Sequence, residues 1–142
     1  MKDVFLEVTE EAGIALFKRG ITGKIVMLNL LRFRDVADYS KHPELAPEVP
    51  ISGAAAYQKY IDHTLPFLRE SGGDVFFLGK GGKFLIGPQD EYWDLMMLVR
   101  QNSLADFMAF SENQDYLTGI GHRTAALKDS RLLPLVESGI AL

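Results

Sequence analysis

An α+β fold, a four-stranded antiparallel sheet with helices on one face, is what this sequence predicts, and three observations lead there. Two strand-like runs, Ile25-Val26-Met27-Leu28-Asn29-Leu30-Leu31-Arg32-Phe33 and Tyr92-Trp93-Asp94-Leu95-Met96-Met97-Leu98-Val99-Arg100, are almost wholly apolar and each closes on an Arg. Each is followed by a helical segment, so the chain reads as one unit written twice. Neither run alternates apolar and polar residues, which is the pattern of a strand buried on both faces. In a chain of 142 residues one set of helices can cover only one face, so the other calls for a second copy.

The elements follow in order. Thr9 can cap a first helix whose Glu10 and Glu11 suit its positive end, with Ile14, Leu16 and Phe17 as apolar contacts and Lys18-Arg19-Gly20 as the stop. The first strand spans about 24–34. Residues 35–50 hold Pro43, Pro47 and Pro50 and form a long loop or arm, a type of segment that is usually functional. Ser52 caps a long helix over 53–71, whose inner stripe is Tyr57, Tyr60, Ile61, Thr64, Leu65 and Leu68, with a kink expected at Pro66. Gly72-Gly73 ends it. Asp74 to Leu78 is the second strand, Gly79–Lys83 a turn or bulge, and Phe84-Leu85-Ile86 resumes the extended chain. The third strand is Tyr92 to Arg100. Ser103 with Asp106 caps the next helix, 115–127 is short helix or turn broken by Gly119 and Gly121, and Arg131 to Val136 is the last strand, its Pro134 marking an edge. The core order is β-α-β-β-α-β, the ferredoxin-like arrangement, with a leading helical segment over 1–21 and the core over 22–136, all in one domain.

Composition narrows the function classes. The chain is 47% hydrophobic and 24% charged, with a net charge of −4 and scattered Lys and Arg, which argues against nucleic-acid binding. It has no Cys, so thiol catalysis, disulfides and Cys-held metals are out. Acidic residues interrupt the N-terminus before a signal core could form, and no run reaches the ~20 apolar residues of a membrane span. A cytoplasmic protein is expected, with no membrane partner.

Val26 to Phe33, Gly72-Gly73, Ile86-Gly87-Pro88, Trp93-Asp94, and His122-Arg123 through Leu132 resemble a bacterial family catalogued as domain of unknown function thirteen-thirty, within the dimeric α/β barrel superfamily. The resemblance covers most of residues 22–134. It departs where the family has Tyr-Pro before the second helix, which here reads Gln101-Asn102. The resemblance implies a ferredoxin-like fold that pairs into a dimeric α/β barrel, and no settled activity. The superfamily holds cofactor-free oxygenases, lactone isomerases, dehalogenase-like and haem proteins, so fold alone selects none.

The polar residues inside apolar elements are the site candidates, each with a bland alternative. Asn29, mid-strand, is either a hook in a ligand pocket or an amide bonded to a loop backbone. His122 is a candidate base and Arg123 a holder of a carboxylate or oxyanion; alternatively Arg123 pairs with Asp94 or Asp129 and His122 lies at the surface. Tyr57 and Tyr60 could line a pocket or be core residues with bonded tips. Trp93 is a candidate substrate contact, and Asp94 on the opposite face should find an Arg. His63 sits off the inner stripe, at the boundary. Gly79–Lys83 resembles a phosphate loop but leads into extended chain, so nucleotide binding is discounted. His42, His63 and His122 show no ligand spacing, so no metal site is expected. No cofactor is expected either, although haem and flavin sites carry no short motif by which to recognise them.

Together these predict a homodimer built through the open sheet face, with a small partly apolar pocket in each protomer. It would be either a cofactor-independent enzyme of monooxygenase or isomerase type, acting on a small organic anion, or a non-catalytic ligand-binding or stress-associated dimer. A third reading makes 35–50 a docking arm and the pocket a filled core.

Overall fold

The structure, a computed structural model, describes residues 3–142. In chain order it contains α1 (Glu10–Lys18), β1 (Ile25–Phe33), α2 (Gly53–Glu70), β2 (Asp74–Lys83), β3 (Tyr92–Gln101), α3 (Leu104–Ser111), α4 (Gln114–Leu117), α5 (Ile120–Ala126) and β4 (Leu127–Leu135). The strands form one sheet in the order β2-β3-β1-β4, and every neighbouring pair is antiparallel. That order and the two helical crossovers are the ferredoxin-like fold that the sequence predicts.

The caps fall where the side chains dictate. Thr9, Ser52 and Ser103 each accept a backbone N–H three residues on, from Ala12, Ala55 and Asp106. Gly72, at φ +91°, lets the chain leave α2 in a conformation other residues resist. The helix runs unbroken through Pro66.

Register assigns the residues of β1 to two faces. Ile25, Met27 and Leu31 are buried beneath the helices, with Leu31 packed in the cluster of Ala56, Tyr57, Tyr60, Met97, Tyr116, Ala126 and Leu127. Val26, Leu28 and Leu30 point the other way and pair with Arg100, Leu98 and Met96 of β3. On that second face Phe77 stands opposite Leu98, and Leu133 opposite Leu28; each is about half exposed, at 51% and 54%. Among the described residues no helix or strand covers them. Burial of apolar surface is favourable at about 25 cal/mol per Å², so a sheet face of this composition is an unfinished core.

Four expectations need correction. α1 forms but none of its residues is fully buried: Ile14 is 48% and Phe17 79% exposed, and of the three expected apolar contacts Leu16 alone is partly covered by the described residues. Gly79–Lys83 is strand, not turn: β2 runs on to Lys83, because the glycines let an exposed edge strand pass close to β3, where a Cβ on Gly81 would lie 2.3 Å from Trp93 O. The turn comes later, so Phe84-Leu85-Ile86 is its protruding tip, with Leu85 and Ile86 over 90% exposed. β4 starts at Leu127, four residues early, because Leu127, Asp129 and Ser130 already pair with Phe33, Arg32 and Leu31 of β1, and the N-terminal segment ties onto their side chains. Phe5 N–H donates to Asp129 Oδ1 at 2.9 Å, the Ser130 hydroxyl donates to Phe5 O, and Arg123 Nη1 donates to Leu6 O at 2.7 Å.

Candidate functional site

An open cleft of about 680 Å³ lies at the head of α2, between its first turn and the ends of β1, β2 and β3. One close approach builds it. Gly53 N–H donates to Arg34 O and Arg34 N–H to Ala126 O, tying the start of α2 to the end of β1 and the end of α5. A Cβ on Gly53 would lie 2.2 Å from Arg34 O and 2.7 Å from Ala126 O, so only glycine lets the helix begin here. The first turn of α2, at Ser52 and Ala54, therefore borders the cleft and brings the positive end of the helix dipole with it.

The walls are mixed. Phe33, Leu78 and Leu95 supply apolar surface, and Arg34, Asp35, Lys80 and Asp94 supply charge. Asp94 Oδ2 accepts the Phe33 N–H at 2.8 Å, while Oδ1 takes no hydrogen bond from the described residues. The expected Arg partner of Asp94 is thus replaced by a backbone N–H. Arg34 is steadied by its Nε, which donates to Leu127 O at 3.2 Å. Such a cleft, apolar with a few convergent polar groups, is the usual form of a small-molecule site.

None of the six residues singled out from the sequence lines this cleft. Tyr57 and Tyr60 sit in the core, in an aromatic chain running Phe33–Tyr57–Tyr60–Tyr116–Phe110 with ring centroids 4.5–6.1 Å apart. The Tyr60 and Tyr116 hydroxyls bond each other at 2.7 Å. Burial pushes the Tyr57 and Tyr116 hydroxyls far above the usual phenol range, so they stay protonated, while the charge of Arg123 pulls weakly the other way. Arg123 also reaches Ser130 Oγ at 3.4 Å, beyond its bond to Leu6 O. Asn29 is buried and donates within its own strand, to Met27 O. Trp93 is buried with the guanidinium carbons of Arg32 and Arg131 at 5.2 and 5.1 Å from its ring.

His122 lies elsewhere again, beneath the 35–50 segment. Its Nδ1 is 2.7 Å from the Tyr39 hydroxyl. Desolvation, then the charges of Lys59 and His63, hold the ring below the usual histidine value. The other histidines converge on the same turn: His63 Nε2 bonds Asp115 O and Tyr116 O, and a Cβ on Gly121 would touch His42. The 35–50 segment folds onto its own chain through Ala37 N–H to Ile51 O and Asp38 N–H to Ala125 O, and encloses a smaller hollow of about 310 Å³. Among the described residues no three His, Cys, Asp or Glu side chains are placed to share a metal ion, and no helix is long and apolar enough to cross a membrane.

Arg34, Ser52, Lys80 and, in its cleft role, Asp94 were missed by sequence reasoning. They are about 60 residues apart at the extremes and share no motif, and the one available signal is a glycine directly after a cap residue at Ser52-Gly53.

No protein-family profile and no curated protein matches the chain. Among solved structures it is similar to the RPA0582 protein of unknown function from Rhodopseudomonas palustris: 34% identity over 94% of this chain and 96% of that one, with a TM-score of 0.80. Against the methylated RPA0582 protein the identity is also 34%, over 96% and 98% of the two chains, with a TM-score of 0.82. Identity at that level along nearly the whole of both chains goes with a shared fold, and the chain belongs to the family of the RPA0582 protein.

Proposed function

We propose that the protein is a homodimer joined through its uncovered sheet face into an α/β barrel, and that each protomer binds a small organic carboxylate in the cleft at the head of α2. The apolar face carries the first half of this reading. Four strands spaced ~4.8 Å apart and ~30 Å long present roughly 600 Å² per protomer. Two such faces give about 1,200 Å², the low end of stable interfaces. The resemblance of its motifs to domain of unknown function thirteen-thirty, a resemblance no family profile bears out, implies the same assembly. For the ligand, the support is the meeting of Arg34, Lys80 and the N-terminal turn of α2 beside an apolar wall. The test is titration calorimetry with 3-phenylpropionate. Binding that Lys80→Met weakens about tenfold is expected; no heat at any concentration refutes the site.

A catalytic reading has one observation of its own. His122 is held neutral near pH 7 and its Nδ1 meets the Tyr39 hydroxyl. In that reading His122, beside Arg123 on α5, takes a proton from an activated organic anion and no cofactor takes part; Asn29, Tyr57, Tyr60 and Trp93, held in the sheet and core, have no share in the step. A screen of enolic and phenolic compounds tests it. Loss of turnover in folded His122→Ala supports the role, and unchanged turnover removes it.

A further inference from the structure

The cleft holds charges of both signs, and this narrows what it can bind. Resting on the carboxylate reading above, we infer that the ligand is a zwitterion: an α-amino acid with an apolar side chain. Arg34 and Lys80 are the two cations of the cleft, and Asp35 and Asp94 its two anions. A plain carboxylate would meet attraction from the first pair and repulsion from the second; a plain amine would meet the reverse. A molecule with both groups on one carbon satisfies both.

Asp94 is the more telling member. It is partly buried, its Oδ2 is fixed by the Phe33 N–H at 2.8 Å, and its Oδ1 takes no hydrogen bond from the described residues. An oriented carboxylate with one open oxygen is an acceptor for an ammonium. Lys80 pairs with Leu95 in the β2–β3 register and so shares its face of the sheet, while Asp94, the next residue along β3, borders the same cleft. The body of the ligand follows from Leu78. It pairs in register with buried Met97, on the side the helices cover; as part of the exposed edge strand β2 it is 54% exposed, and it borders the cleft. With Phe33 and Leu95 it gives an apolar side chain a surface to cover.

Calorimetry of the full chain with three ligands of one skeleton tests this: phenylalanine, 3-phenylpropionate and 2-phenylethylamine. Phenylalanine should bind at least about tenfold tighter than either of the others, since each of those answers charges of one sign in the cleft and leaves those of the other sign unanswered. Asp94→Asn keeps an oxygen for the Phe33 N–H and should cost phenylalanine about tenfold, while 3-phenylpropionate binds as well as before or better. If 3-phenylpropionate equals phenylalanine on the unmodified protein, the zwitterion is wrong and the carboxylate site stands. If neither acid binds, both readings fall. The three-ligand comparison on the native chain needs no variant to fold.

Discussion

The two faces of the sheet are built from the same strands and end in opposite states. Under the helices, Ile25 and Leu31 are fully buried, and the aromatic chain from Phe33 to Phe110 fills the space above them. On the other face Val26, Leu28 and Leu30 are only partly buried, although they are as apolar as their neighbours in sequence. Composition therefore does not separate the faces; the supply of covering elements does. The chain covers one side with α2 and α5, and its remaining spare apolar segments, α1 and the Phe84–Ile86 tip, stay exposed too. A closed core on one side and an unfinished one on the other is the arrangement expected of a subunit.

Substitutions on the two faces should differ in kind. The largest effect is expected from Leu31→Ala, which opens a cavity in the covered core. It should lower unfolding free energy by about 2–5 kcal/mol in denaturant, with the same loss at every protein concentration. Leu98→Glu on the open face should instead raise the dimer dissociation constant about 100-fold, roughly 2.7 kcal/mol, as read by sedimentation. If it destabilises the fold without changing association, the two faces do not differ as described. Next, Tyr116→Phe leaves the Tyr60 hydroxyl buried without its partner and should cost about 1–3 kcal/mol; adding Tyr60→Phe should restore part of it, a non-additivity that a double-mutant cycle measures. The smallest effect is pH-dependent and confined to the covered side. His122 has a folded pKa below its unfolded value, so the unfolded chain binds the extra proton. The stability from the neutral ring is complete above the unfolded value of about 6.5 and is lost as pH falls through the folded value. Thermal melts of the native chain should drop more between neutral and mildly acidic pH than those of His122→Gln.

Much of the fold was legible because periodicity and caps are local. The runs of β1 and β3, the caps Thr9, Ser52 and Ser103, and the Gly72 stop each state their role within a few residues. The start of β4 was not, since Lys128-Asp129-Ser130 looks like loop until the end of β1, far back in the chain, supplies its ladder partners and the Phe5 backbone those of the Asp129 and Ser130 side chains. The site was largely illegible for the same reason. Tyr57, Tyr60 and Arg123 do come together, but as packing and bonding groups in the core, whereas Arg34, Lys80 and Asp94 border one cleft through the long-range pairing of β1, β2 and β3, and Gly53 adds the first turn of α2 through a close approach that no spacing announces.

The central claim is that the bare sheet face pairs with itself. Light scattering of the native chain over a wide dilution series measures it directly. A particle of twice the chain mass that dissociates when Leu98→Glu is introduced is the predicted result. A native chain that scatters as a stable, soluble monomer at every concentration would contradict it.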